Sequence, residues 1–168
     1  GESAGRARLE RFLQKGLKQY DTQRDQMGMS GTSRLSQDLK FGTLSVRTVW
    51  HAVLSAFGVG PGAESFLNEL IWRDFSHSSL WHRPSLLEEP FRAAWRGFPW
   101  AGDEDGWSRW ATGQTGFPIV DASARELLAT GFVHNRARMV SASFLTKHLR
   151  IDYRRGEAHY MAHLTDGD

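Results

Sequence analysis

Apolar residues recur in this chain at intervals of three and four, and no stretch alternates apolar with polar as a half-buried strand would. Leu9, Phe12, Leu13 and Leu17 stand at helical spacing and predict an amphipathic first helix over residues 4–19. Ser45 is placed to cap a helix over residues 46–57 that turns Val49, Trp50, Val53 and Leu54 inward. The G-V-G-P-G run at 58–62 breaks it, and a helix over 63–81 follows, with Phe66, Leu67, Leu70, Ile71 and Phe75 as its core stripe. Pro118 just inside its start and Gly131 just past its end bound a further helix, and a last one opens near Asp152 and runs through Met161. Residues 20–31 are rich in turn formers and predict a loop; residues 83–106, rich in Pro, Gly and Trp, predict a long ordered loop with helical turns around 91–95. A short helical turn is expected over 107–112. The expectation is an all-α domain of about six or seven helices, without internal repeats.

The chain has 168 residues, the size of one domain, and is 40% hydrophobic and 24% charged, enough to bury a core. Its seven Trp and ten Phe can fill that core, line a pocket or stack on planar ligands. Cysteine is absent, which excludes disulfides and cysteine-based zinc sites and fits a reducing, cytoplasmic setting; no metal site is expected. No apolar run approaches the length of a membrane span, so a membrane is not among the expected partners. A formal net charge of +2, with pI near 9.2, permits nucleic acid as a partner without requiring it. Because no Met precedes Gly1, the chain is expected to be a portion of a longer protein.

Three stretches carry candidate chemistry. Residues 131–147, G-F-V-H-N-R-A-R-M-V-S-A-S-F-L-T-K, read as a helix of about four turns opening near His134 or Asn135. Asn135, Arg138 and Met139 share a face there; Ser141, Ala142 and Ser143 allow close approach, and Val140, Phe144 and Leu145 are apolar. An amide, a guanidinium and a thioether on one stripe suit a large, aromatic, phosphorylated ligand; a buried helix with a structural Arg is the equal alternative. Thr32, Ser33, Arg34, Leu35 and Ser36 put three hydroxyls and a cation into five residues, either a phosphate cradle or a helix cap. Glu69, Trp72 and Arg73 share a helical face, as an exposed ion pair beside a partly buried Trp or as a carboxylate and indole facing a cavity. Asp121 and Arg125 can pair one turn apart.

Five segments in order, T-S-R-L-S-x-x-L-x-F-G, L-N-E-L-I-W-R-D-F, T-G-F-P-I-V-D-A, H-N-R-x-R-M and D-G-D, give the chain from about residue 20 to its end a close resemblance to the FAD-binding helical domain of the DNA photolyase and cryptochrome family. The resemblance implies that residues 1–168 are part of such a domain, nearest the branch that splits cyclobutane pyrimidine dimers. It implies that Tyr20, Thr32, Ser33, Arg34, Leu35 and Ser36 hold the diphosphate of a folded FAD. Phe66, Glu69 and Arg73 would line the cavity, and Asn135, Arg138, Asp166 and Asp168 would surround the flavin ring and ribityl chain. Glu69, Trp72, Asn135 and Met139 would meet a lesion flipped out of duplex DNA. The implied activity is that of a deoxyribodipyrimidine photo-lyase, in which light drives an electron from reduced FAD into the dimer. Arg73, Arg83 and Arg136 are candidates for phosphate contacts. The expected protein is a monomer acting on damaged duplex DNA.

The sequence departs from the family pattern in places. The amino-terminal antenna domain is not within it, and neither is the Asn- and Trp-rich segment expected after Asp168. The resemblance puts Trp100 and Tyr153 on a photoreduction chain, but Tyr153 stands where Trp is common, and Tyr is harder to oxidise without losing its proton. Phe66 and Phe132 also replace Trp, and Gln37 replaces Pro. Two further readings stay open: a cryptochrome-like photoreceptor that binds FAD without repair, and a helical domain that holds no cofactor by itself. Met139 after Arg138 favours dimer splitting over (6-4) repair.

Overall fold

A computed structural model describes residues 1–57 and 60–168. Among them no strand occurs, and the chain divides into two compact helical units, Gly1–Leu87 and Glu88–Asp168.

In the first unit, α1 (Glu2–Lys15) stops at Gly16, earlier than the expected Gln19, and a 3-10 turn, Leu17–Gln19, follows. The predicted loop over 20–31 instead opens with a single helical turn, α2 (Tyr20–Gln23). Tyr20 is buried, and the apolar environment stabilises the turn although its local sequence does not call for it. A short α3 (Ser36–Lys40) leads to α4 (Val46–Phe57), whose first turn is capped by Ser45 Oγ accepting from the Thr48 amide at 3.1 Å. The break expected over 58–62 includes Gly58 and Val59, which lie outside the described residues. Gly60 is the N-cap of α5 (Pro61–His82), with Pro61 in its first turn where a missing amide costs nothing.

The core of this unit is built by Leu9, Phe12, Leu17, Tyr20, Leu35, Val49, Val53, Phe66, Leu67 and Leu70. Ile71, Phe75 and Leu54, expected in the core, are 53%, 58% and 37% exposed. The α5 stripe is buried only along its first half, because a helix of 22 residues outruns the elements that pack on it. Gly62 marks the tightest approach: a Cβ there would lie 2.0 Å from the Leu17 carbonyl oxygen. Arg8 makes two hydrogen bonds to Asp38, at 2.9 and 2.8 Å, and ties α1 to α3. Those bonds, with one from Thr43, hold the buried Asp38 carboxyl below its ordinary range against the opposing effect of burial.

In the second unit, short 3-10 turns at Ala93–Trp95 punctuate the Trp-rich stretch before α6 (Glu104–Thr112). That helix starts three residues earlier than the sequence suggests, because Asp103 caps it by accepting from the Gly106 amide. Helix α7 (Pro118–Thr130) keeps the predicted bounds, and Gly131 closes it in the left-handed conformation, φ 67°. Helix α8 (Asn135–Ser143) runs on through a π turn, Phe144–His148, and α9 (Tyr153–His163) is capped by Asp152. Trp110, Val120, Leu145 and Ile151 form one core cluster, and Leu127, Val133 and Ala137 another. Thr165 donates from both its amide and its hydroxyl to the Gly131 carbonyl, which fixes the end of the chain against the corner between α7 and α8.

Candidate functional site

In the first unit the sequence-predicted residues gather around Tyr20. Its ring meets Phe12 and Phe66 edge-on, with centroids 5.7 and 5.3 Å away. Burial, and then the nearby Glu69, push its phenol up to about 12. Arg24, one turn on, places its guanidinium 5.6 Å from the Tyr20 ring centre, donates to Ser65 Oγ at 3.2 Å and pairs with Glu69 at 2.6 Å. Glu69 is therefore an ion-pair partner of a residue on a different element. Trp72, on the same face of α5, is 59% exposed rather than partly buried, and meets Phe75 edge-on at 5.6 Å. Arg73 follows on the same helix, half-buried.

The hydroxyl-rich loop is pinned by Leu35, which is 1% exposed and serves as the N-cap of α3 without any side-chain capping bond. Ser33 Oγ accepts from the Leu35 amide at 3.4 Å, so one hydroxyl of the loop supports the turn that leads into α3. Arg34 stands at φ 52°, a conformation costly for a side-chain-bearing residue. Thr32, Ser33 and Arg34 line a cavity of about 420 Å³ with Ser30 and with Arg8, Arg11 and Lys15 of α1. Cations and hydroxyls converging on one concavity are a chemistry for phosphate oxygens.

In the second unit His134 caps α8, its Nδ1 accepting from the Arg136 amide at 3.1 Å. Arg138 donates from Nε to the Val133 carbonyl and from Nη2 to both carboxylate oxygens of Asp166, at 2.9 and 2.8 Å. The Asp166 side chain is only 3% exposed and that of Arg138 25%, so a buried carboxylate meets a partly exposed guanidinium. Asn135 and Met139 stand together on the exposed side of α8, the amide donating to the thioether sulfur at 3.8 Å. Met139 lines two cavities. One, of about 570 Å³, also has Phe117, Arg136, Ser143 and Phe144 on its walls. The other, of about 450 Å³, has Trp110, Arg138, Thr146, Tyr153, Tyr160 and Asp168. Trp100 and Tyr153 stand edge-on at 6.2 Å. Among the described residues nothing hydrogen-bonds the buried Tyr153 hydroxyl.

The structure thus joins Tyr20, Phe66 and Glu69 in one unit, and Asn135 with Met139 and Arg138 with Asp166 in the other. It also adds residues that the sequence reading passed over. Arg24 is one; its position four residues after Tyr20 is the signal, visible only if 20–24 is read as a helical turn. Arg11 and Lys15 are others, at helical spacing from Arg8.

Residues 66–168 match the family model described as the FAD binding domain of DNA photolyase. The chain belongs to that family. Among curated photolyase relatives, the deoxyribodipyrimidine photo-lyase of Synechococcus sp. is 45% identical over the whole of this chain and 36% of its own length. A bacterial class III photolyase from Agrobacterium tumefaciens superposes with TM-score 0.96 at 40% identity, over all of this chain and 35% of the other. The cryptochrome of Synechocystis sp. superposes with TM-score 0.94 at 36% identity, over all of this chain and 36% of the other. The chain therefore spans about a third of the photolyase-family proteins it matches.

Proposed function

We propose that this chain is part of the flavin-binding domain of a deoxyribodipyrimidine photo-lyase that repairs cyclobutane pyrimidine dimers in duplex DNA. The observation that carries the reading is Glu69 and Trp72, a restrained carboxylate and an exposed indole on one helical face, in a chain of the photolyase family. The residues present fit FAD. The cavity walled by Arg11, Lys15, Thr32, Ser33 and Arg34 has the donors that a diphosphate needs; Leu35 and Ser36 follow Arg34 in sequence, and Tyr20 opens α2. In the other unit Arg138 and Asp166, with Asn135 and Asp168, offer a fixed charge pair and an amide to a planar ring and its polyol chain. When bound and reduced, the flavin supplies an electron on absorbing light.

The remaining work belongs to the protein. Glu69 hydrogen-bonds the dimer bases, Trp72 stacks on them, and Asn135 and Met139 meet the flipped lesion. Phe66, Glu69 and Arg73 would line the cofactor cavity, and Arg73, Arg83 and Arg136 would contact phosphates without reading sequence. Photoreduction through Trp100 and Tyr153 is the weakest of these steps, because no described group is placed to take the Tyr153 proton.

The test is dimer consumption by the purified, flavin-loaded protein. Duplex carrying a pyrimidine dimer should be restored under blue light and not in the dark, and only with reduced flavin. The likeness to a cryptochrome supports the second reading, a flavin photoreceptor without repair. A protein that holds flavin and responds to light but leaves dimers intact would decide for that reading. A protein that holds no flavin would remove both.

A further inference from the structure

The His159 ring, on α9, meets two indoles of α6, Trp107 edge-on at 5.7 Å and Trp110 at 5.5 Å. Its Nε2 is closed off from solvent, and among the described residues nothing hydrogen-bonds it. A neutral imidazole tolerates that setting; an imidazolium would bring a charged N–H into it with no acceptor. The neighbours also oppose a positive charge. His163, one turn on, has its ring centre 4.4 Å away and its Nδ1 bonded to the His159 carbonyl at 2.8 Å. Trp107 already carries the Arg155 guanidinium 4.1 Å from its ring centre. Carboxylates on the surrounding helices are engaged elsewhere: Glu104 of α6 with Arg155 at 2.6 Å, Asp105 with Arg109 at 2.9 Å, and Asp121 of α7 with Thr115 at 2.6 Å. Arg125 of α7 donates to the Gly113 carbonyl, and Glu157 of α9 and Lys147 and His148 of the π turn are exposed. Burial, and then His163, accordingly hold the His159 imidazole below its ordinary value. This seat adjoins a cavity. Trp110 is 2% exposed, donates to the Ser141 carbonyl at 3.0 Å, and lines the cavity of about 450 Å³ with Arg138, Tyr160 and Asp168. Tyr160, next to His159 on α9, meets Trp110 edge-on at 5.8 Å. Movement of α9 away from α6 therefore opens a wall of that cavity.

We propose that His159 is a proton-operated latch: neutral, it seats α9 on Trp107 and Trp110; protonated, it drives that face of α9 off α6 and loosens the cavity wall. An undocked ring, in water, binds a proton more tightly than the docked one. Docking is therefore complete above the ordinary histidine value, near about pH 6.5, and weakens as pH falls below it. The latch belongs to α6 and α9 alone; only its effect on a bound flavin rests on the flavin-binding reading.

The experiment compares the flavin-loaded protein with His159→Phe, which keeps a ring between the indoles and cannot titrate. His159→Gln, also without a titrating group, covers the case in which the phenylalanine variant does not fold. Flavin dissociation is timed between about pH 7 and about pH 5, the range in which histidines titrate. The His159 ring is titrated by NMR over the same range, and the protection of α9 amides is followed by hydrogen exchange, corrected for the intrinsic effect of pH. Dissociation from the unmodified protein should quicken about tenfold towards acid pH, the change that one unit of pKa difference allows. It should stay level in His159→Phe and His159→Gln. His163→Gln removes a neighbouring charge and should move the transition to higher pH. A His159 ring that titrates at or above the ordinary value overturns the inference. So does flavin release from the unmodified protein that is indifferent to pH, or an acid response of equal size in His159→Phe. If the protein holds no flavin, the flavin-binding reading falls, and hydrogen exchange decides the latch alone. Protection of α9 lost at acid pH in the unmodified protein and kept in His159→Phe upholds it; equal loss in both overturns it.

Discussion

Arg138 shows how much one side chain can determine. It holds the Val133 carbonyl and both oxygens of Asp166, a carboxylate almost closed off from solvent. Arg138→Ala takes those bonds from a buried charge, and losses of that kind cost about 3–5 kcal/mol. The urea midpoint should fall accordingly, and flavin content with it; a variant with unchanged midpoint and flavin would remove the pair from both the fold and the cofactor site. Asp121 makes a different residue-scale prediction. Burial acts to raise its pKa, but the Thr115 hydroxyl and the amides of Thr115 and Gly116 donate to it and together hold it below the ordinary value. Its contribution to stability is therefore complete above the unfolded-state value, near pH 4, and is lost as pH falls through the lower folded value. Asp38, lowered chiefly by Arg8, acts in the same direction. Urea midpoints measured across acid pH should drop below about pH 4, and the drop should be shallower in Asp121→Asn. An equally steep acid limb in that variant would place the titration elsewhere. The Asp121–Arg125 pair read from sequence gives way to this cluster of donors as the main feature, with Arg125 donating to the Gly113 carbonyl.

At the scale of elements, packing decides where local signals are weak. The α2 turn is four residues long and could not persist alone; it is helical because Tyr20 fills the space between Phe12 and Phe66. The same contact network brings the start of α5 against the preceding 3-10 turn, with Gly62 at the closest point. Gly62→Ala forces a methyl group onto the Leu17 backbone, where nothing can rotate away, and should cost about 1–3 kcal/mol. Gly102→Ala, whose Cβ meets nothing within 4 Å, serves as the comparison. Equal unfolding midpoints for the two variants would mean that α5 can slide without penalty. The π turn at the end of α8 is a further case. It lets the Leu149 amide reach the Phe144 carbonyl, and the Ile151 amide then reaches that of Leu145, so that Leu145 and Ile151 meet in the core.

For the molecule as a whole the governing quantities are charge and exposed aromatic surface. A net charge of +2 is modest, so DNA affinity must come from cations placed at the right positions rather than from a general field. If Arg73, Arg83 and Arg136 each neutralise one phosphate, affinity for dimer-containing duplex should fall roughly fortyfold between about 50 and about 200 mM salt. A binding constant insensitive to salt over that range would argue against phosphate contacts and for the photoreceptor reading. Trp72, Phe75, Trp81, Phe91 and Trp95 are all more than half exposed, so the high aromatic content serves surfaces as well as cores.

Periodicity alone determined that this chain is all-helical, because spacings of three and four place apolar side chains on one face of a helix and nowhere on a strand. The bounds of α4 and α7, and the cap at Ser45, were equally legible, since Ser, Pro and Gly act through their own covalent geometry. The five ordered motifs pointed to the family and, through that resemblance, to Asp166; Glu69, Trp72 and Arg138 stood out from their helical faces before any coordinates. The helical turn at Tyr20 and the limits of burial along α5 depend on what packs against them, and no neighbour-by-neighbour pattern encodes that. The partner of Glu69 could not be read at all. A helical face offers Arg73 one turn away, whereas Arg24 lies 45 positions earlier in the chain and reaches Glu69 only because the Tyr20 turn is folded against α5. Ion pairs between elements are fixed by where the backbone carries them, and that was decided by the tertiary structure.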